Sequence, residues 1–291
     1  MIFKDKTVIV TGASAGVGAA AARKFAEAGA NLLLLARGKK NLEALAAELR
    51  ELTRVEYLAM DVADTDACQN AFKKADFEFG RIDVLVNNAG FHARGTVESL
   101  GLDDIARMID VNLKAPLQLT RIAIPYLRDA GGGAIINVGS LAGRLPVPGS
   151  AVYSASKNGL RAFTYAIAEE MPDANIKFAV VSPGPIDTGF IMDDVDKVSD
   201  LTFSQPISSA EDVAQAILDL CGNQQRELAM PPLSGVLTSI SGSMPWLARM
   251  LRPSLERKGQ RVKAELKASA RRKAKAEKAR ETSSATGPGS P

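Results

Sequence analysis

Short apolar runs punctuate the chain at regular intervals, and longer stretches with helical periodicity fill the gaps between them. Runs at 7–11, 31–36, 55–59, 82–86, 134–138 and 176–182 predict six strands. Several are apolar at every position rather than at alternate ones, as expected of strands covered on both faces. Between them, residues 17–28, 40–52, 64–79, 103–128 and 151–171 predict helices. Alternation with such short connections implies a parallel sheet with right-handed crossovers. The fold class is therefore α/β, a single Rossmann-like, doubly wound sheet with helices on both faces. After Val181 the rhythm breaks: Ser182-Pro-Gly-Pro-Ile-Asp-Thr188 is rich in turn residues, and an irregular stretch runs to about 209. A helix then fits 210–221, opened by Ser209 as N-cap with Asp212 at the third position. A short strand fits 226–230.

Composition sets the scale. With 291 residues, 46% of them apolar, the chain can form one domain of roughly 200–250 residues with some length left over. The net charge of +3 hides an uneven distribution. Residues 252–281 hold 12 Lys and Arg against 4 Glu, a surplus of +8, so the remainder carries −5. Cys68 and Cys221 stand alone in helical stretches, which favours reduced thiols over a disulfide. A single histidine, His92, rules out a multi-histidine metal site, and no metal is expected. The first residues run straight into a strand, without the apolar region of a signal peptide. No stretch approaches the ~18 uninterrupted apolar residues of a membrane span. A cytoplasmic location is expected, with a peripheral membrane location left open.

The first strand ends in Thr11-Gly12-Ala13-Ser14-Ala15-Gly16-Val17-Gly18. Glycines so placed between strand and helix permit a tight turn and a close approach of phosphates to the backbone. The helix N-terminus beyond offers amide donors and a positive dipole end to a pyrophosphate. A glycine triplet alone is a weak signal; here it opens a six-strand alternation.

In order along residues 6 to about 230 follow Asp61-Val62, Asn87-Asn88-Ala89-Gly90, Asn112, Ser140, Tyr153-x-x-x-Lys157 and Pro183-Gly184. Together with the spacing Gly-x-x-x-Gly-x-Gly, this set resembles the short-chain dehydrogenase/reductase family, of the NADP(H)-preferring carbonyl reductase or alcohol dehydrogenase type. The resemblance implies that Asp61 bonds the adenine amino group while the Val62 backbone meets a ring nitrogen. It implies that Asn88, Ala89 and Gly90 support the sheet and pass the cofactor ribose, and that Ile186 and Thr188 hold the nicotinamide carboxamide. It also implies that Asn112 kinks its helix and holds a water in a relay to Lys157, and that the helices at 103–128 and 151–171 pair two copies into a dimer.

The choice of dinucleotide follows from charge. An acidic residue closing the second strand would bond the 2′-hydroxyl of NAD(H) and repel a 2′-phosphate. Here Ala36 is followed by Arg37, whose guanidinium suits a phosphate, with Lys39, Lys40 and Ser14 nearby. NADP(H) is favoured, and NAD(H) stays open because Ala15 stands where many NADP-preferring relatives carry a second basic residue.

Tyr153 and Lys157, four apart on a helix, share one face. Carbonyl reduction needs hydride at carbon and a proton at oxygen. A tyrosine with an ordinary pKa of about 10 exchanges protons poorly near neutrality. An adjacent ammonium is expected to lower that pKa, while Lys157 also bonds the nicotinamide ribose. Ser140 would orient the substrate oxygen. Candidate pocket walls are 141–150, 91–94 and 189–208, mainly apolar with Arg144 as the conspicuous charge, facing either an acidic group or the surface. They suit a small carbonyl or alcohol substrate. His92 reads as a solvated loop residue more readily than as a substrate contact.

Three segments are expected: a dinucleotide-binding and catalytic domain at 1–230, a C-terminal helical extension at 231–260, and a basic tail at 261–291. The stretch 236–251 reads as a helix packed over the cleft or a dimer edge, with an interfacial helix on an acidic membrane as the alternative. The basic stretch 261–281 reads as a solvated helix, with no stacking platform for nucleic acid, and Thr282–Pro291 as lacking fixed structure. Competing functions are dehydration or epimerisation on the same fold, a cofactor-sensing protein without turnover, and a lipid- or steroid-type reductase associated with a membrane surface.

Overall fold

The computed structural model describes residues 3–145, 147–192, 195–196, 198–232, 234–235, 238 and 245–285. Seven strands form one sheet: β1 (Thr7–Thr11), β2 (Asn31–Ala36), β3 (Val55–Ala59), β4 (Val84–Asn87), β5 (Gly133–Val138), β6 (Ile176–Pro183) and β7 (Glu227–Met230). The order is β3-β2-β1-β4-β5-β6-β7, and every pairing is parallel. The helices that bear on the site are α1 (Gly16–Glu27), α2 (Lys39–Leu49), α3 (Thr65–Phe79), α4 (Leu102–Ile109), α5 (Ala115–Asp129), α6 (Ala151–Glu170), α7 (Gly189–Met192), α8 (Ala210–Gly222) and α9 (Pro245–Ala285).

Uniformly apolar strands have two faces to bury, and each face has its own core. Val8, Val10, Leu32 and Leu34 point toward α1, α2 and α8, while Ile9, Leu33, Leu35 and Leu85 point toward α3 and α5. Cys68 and Cys221 lie in these two different layers, both as free thiols. Helix ends follow their capping chemistry. Asp64 accepts from the Asp66 and Ala67 amides to start α3, and Ser209 and Asp212 form a reciprocal capping box at α8.

Two differences from the sequence reading bear on function. The helix expected over 103–128 is two helices joined by a π-helical turn at Asp110–Lys114, which holds Asn112 at full burial. Instead of a short extension and a separate tail, α9 runs unbroken from Pro245 through Ala285. Val262 and Leu266 of α9 pack on Ile191, Val198 and Phe203, and Lys263 Nζ donates to the Val198 carbonyl at 2.8 Å. The first part of the basic segment is therefore docked rather than solvated. Thr282–Ala285 belong to α9; most of 236–244 and all of 286–291 lie outside the described residues. No helix among the described residues is long and apolar enough to cross a membrane.

Candidate active site

The strand order reverses between β1 and β4, and a cleft of about 1310 Å³ opens at the carboxyl ends of the strands there, where doubly wound sheets take ligands. Gly12 and Gly16, with φ of 65° and 53°, turn the chain from β1 into α1. A Cβ on Gly12 would stand 2.9 Å from Ala89 Cα, and one on Gly18 would stand 2.2 Å from the Gly12 carbonyl oxygen. Gly18 thus lets α1 pack on the turn and does not itself line the cleft, whereas Gly12, Ser14, Gly16 and Val17 do. Unlike α3 and α8, α1 starts with no side-chain cap and no acidic residue in its first turn. Its leading amides face the cleft unmatched by any side chain, in the positive end of the helix dipole.

A hydrogen-bonded knot fixes the far side of this turn. Thr11 Oγ1 accepts from the amides of Asn88 and Ala89 at 2.9 and 3.0 Å. Asn88 Nδ2 donates to the Thr11 carbonyl at 2.9 Å. Asn88, Ala89 and Gly90 then line the cleft, as do Pro183, Gly184, Ile186 and Thr188 at the end of β6.

At the other end, Arg37 and Gly38 line the cleft beside Ser14, and Asp61 and Val62 follow β3. Lys39 and Lys40 are exposed and lie outside the lining, Lys39 pairing with Glu43 of its own helix. Asp61 has a partner that sequence reasoning missed: Arg107 of α4 donates to Oδ2 at 2.5 Å. Burial would raise the Asp61 carboxyl, but the Ala63 amide and the Arg107 guanidinium outweigh it and hold the group below its ordinary range. Arg107 sits on an amphipathic helix whose charged residues read as solvent-facing, so nothing local in the sequence marks it.

In the middle of the cleft Tyr153, Lys157 and Ser140 come together. The Tyr153 hydroxyl is hydrogen-bonded to the Ser140 side chain, whose Oγ also accepts from the Ala142 amide. Lys157 Nζ donates to the Val138 carbonyl at 2.8 Å and lies 5.9 Å from the centre of the Tyr153 ring. Burial pushes the lysine down to about 8. The expectation that Tyr153 is lowered is corrected: burial dominates and raises it, only partly opposed by the Ser140 bond and the Arg94 charge. Lys157 is not among the groups that move the phenol, and its ammonium is engaged with the Val138 carbonyl.

Asn112 does not line the cleft. Its Oδ1 accepts from the Phe91 amide at 2.8 Å, and its Nδ2 donates to the Phe91 carbonyl at 2.7 Å and to Ser156 Oγ at 3.3 Å. It faces Lys157 across Gly90. His92 is corrected too. Its ring stacks on the Tyr153 ring at 4.1 Å and 11°, with Arg94 Nη1 3.0 Å from its Nδ1. Both line the cleft. Arg144 turns away to Glu227 at 3.2 Å, so it is neither a cleft charge nor a surface one. The remaining wall comes from Leu141, Leu145, Val147, Ile191 and Leu201, and from Arg249, Leu251 and Leu255 of α9; Pro146, also expected there, lies outside the described residues.

The profile of the short chain dehydrogenase family matches residues 6–198. The chain belongs to the short-chain dehydrogenase family. Among its relatives, a sulfoacetaldehyde reductase of Chromohalobacter salexigens is 40% identical over 187 residues, covering 64% of this chain and 74% of the relative. The mouse dehydrogenase/reductase SDR family member 7B is 33% identical over 264 residues, 87% of this chain and 79% of the relative. An NADP-dependent 3-hydroxy acid dehydrogenase of Schizosaccharomyces pombe is 36% identical over 222 residues, 73% of this chain and 85% of the relative. This short-chain dehydrogenase therefore has oxidoreductases, reductases among them, as its kin, and its sheet and helices are those of the family's Rossmann-like fold.

Proposed function

We propose that the protein transfers hydride between NADP(H) and a carbonyl or secondary alcohol, with Tyr153 as the proton-handling group. The observation that carries this reading is the meeting of Tyr153, Ser140 and Lys157 in the same cleft as an uncapped glycine turn. The residues fit a nicotinamide dinucleotide: the turn is bare where any Cβ would collide with Ala89, and no carboxylate competes at the α1 amides. Gly12, Ser14, Gly16 and Val17 would hold the pyrophosphate, with Gly18 keeping α1 seated. Arg37 and Ser14 would hold a 2′-phosphate, Asp61 and Val62 the adenine, Asn88 to Gly90 the ribose, and Pro183, Gly184, Ile186 and Thr188 the nicotinamide end. Bound there, the dinucleotide supplies or takes up the hydride.

The chain's own residues handle the proton. A phenol raised by burial stays protonated through neutral pH and can donate to the oxygen of a carbonyl held by Ser140. Lys157, brought near 8, can resupply Tyr153 close to neutrality while bonding ribose hydroxyls. Asn112 acts by position: both ends of its amide are committed to Phe91 and Ser156, so any relay through this residue uses its main chain. His92 fixes the plane of the tyrosine ring from the open side.

The charge of Arg37 supports NADP(H) over NAD(H), and the fungal relative named for NADP dependence points the same way. The test is a panel of ketones and aldehydes followed at the nicotinamide absorbance with NADPH and NADH. Turnover with NADPH is expected, and Arg37→Asp should move the preference at least about tenfold toward NADH, since it exchanges attraction for repulsion at the phosphate. An unaltered NADPH/NADH ratio would refute the role of Arg37; no turnover with any member would refute the redox reading. A dimer belongs to the same proposal, supported by the groove between α5 and α6 lined by Leu117, Ile124, Phe163 and Ile167; light scattering giving the mass of a monomer would remove it.

A further inference from the structure

Helix α9 has two faces with different surroundings. At about 100° per residue, Leu255, Gly259, Val262, Lys263 and Leu266 fall on one side, and all are buried or half-buried. Gly259 lies so close to the Asp200 carbonyl that a Cβ would have no room. The opposite side carries Trp246, Met250, Arg257 and Arg261, all exposed. Trp246 is 61% and Met250 63% exposed, one helical turn apart on the same face. Standing in water, both forgo the free energy of burial.

The charge along the same helix identifies what covers that face. An apolar tip gives way to Arg257 and Arg261, within a stretch carrying twelve basic and four acidic residues over 252–281. A tryptophan and a methionine followed by arginines on one helical face match a helix lying in the plane of a bilayer interface. There the ring and thioether sit at the acyl boundary and the guanidinium groups meet anionic headgroups. A second copy of this chain would bring the same positive charge to the same face, and like charge opposes that pairing. An anionic apolar boundary satisfies both ends of the face.

Arg249, Leu251, Arg252 and Leu255, on the inner side of the same helix, line the substrate cleft. A surface bound by the outer face would therefore lie beside the cleft mouth. We propose that the Trp246–Met250–Arg257–Arg261 face of α9 docks the protein on an anionic lipid surface, with the cleft opening next to it. The inference is independent of the redox reading, because neither the outer residues nor their test involve turnover.

Trp246 is the only tryptophan in the chain, so its emission reports this face alone. The full-length protein is mixed with vesicles of phosphatidylcholine, with or without phosphatidylserine, and with brominated acyl chains in a parallel series. The expected result is a blue shift, quenching by the brominated chains and co-sedimentation with the serine lipid only, all reversed by high salt. The pair Arg257→Glu and Arg261→Glu should weaken partitioning at least about tenfold. Met250→Ala should reduce the quenching, and circular dichroism melting should be unchanged in each variant. Emission that ignores anionic vesicles would overturn the proposal. So would equal binding to neutral vesicles, or a blue shift that follows protein concentration alone together with a doubled mass, which would give the face to a second copy.

Discussion

Lys157 is the residue at which stability and the proposed chemistry pull in opposite directions. Its ammonium is buried, donating to the Val138 carbonyl, and desolvation brings it from 10.5 to about 8. A base whose folded pKa is depressed penalises the folded state most below that pKa, where it is charged in both states; the penalty fades as pH rises toward the unfolded value. Lys157→Met should therefore stabilise the protein without cofactor at pH 7 by on the order of 3 kcal/mol, read as a higher melting temperature, with the gap closing between about pH 8 and 10.5. A gap independent of pH would show that the lysine is not strained by burial. Tyr153, Ser140 and Lys157 are legible in the sequence because they match the family's motifs in register after β5; the Tyr–Lys spacing alone would read as a solvated helix edge. His92 and Arg107 are not legible. Their partners, Tyr153 and Asp61, are 61 and 46 positions away, and only the closed sheet brings them together.

At the scale of elements, caps and glycines carried through well. The Ser209–Asp212 box starts α8 where its chemistry requires, since a cap depends on neighbours three residues away; the helix expected from 64 starts at Thr65, with Asp64 outside it as the cap. The π-turn at Asp110–Lys114 has no such signature in helical periodicity, which continues across it; the resemblance implied the kink through Asn112. Likewise the tie between the last strand and α6 was invisible. Glu227 of β7 accepts from Arg161 Nε, Tyr165 and Ser182, and pairs with Arg144. Burial would raise this carboxyl, but Arg161, Ser182 and Arg144 hold it low. Glu227→Gln should remove the carboxylate charge shared by the partly buried guanidinium groups of Arg144 and Arg161 and lower stability by about 2–4 kcal/mol, discounted for the exposure of Arg161. Chemical denaturation reads this directly, and a loss under about 0.5 kcal/mol would mean the network is idle.

At the scale of the molecule, six strands and the sheet's direction follow from the alternation of apolar runs, because the inner strands' burial on two faces leaves a local imprint; the half-buried edge strand β7 leaves a weaker one. The course of α9 does not. A charged, alanine-rich segment reads as solvated, yet Val262 and Leu266 complete a cluster with Phe203, and Lys263 binds the Val198 carbonyl and Asp200. That cluster supports Leu201 and Thr202, which line the cleft. Deleting 261–291 should therefore raise KM for the carbonyl substrate several-fold, whereas deleting 269–291 should leave it unchanged; equal kinetics in the two truncations would count against a supporting role for α9.

The proposed hydride transfer requires a phenol that gives a proton to the substrate oxygen beside a bound nicotinamide. Tyr153→Phe removes that hydroxyl and keeps the ring that stacks on His92. Turnover of a carbonyl substrate, measured together with NADPH binding by fluorescence, separates chemistry from assembly. Binding within about twofold of the parent, with turnover reduced at least about a hundredfold, is the predicted result. Turnover preserved in this variant would contradict the assignment.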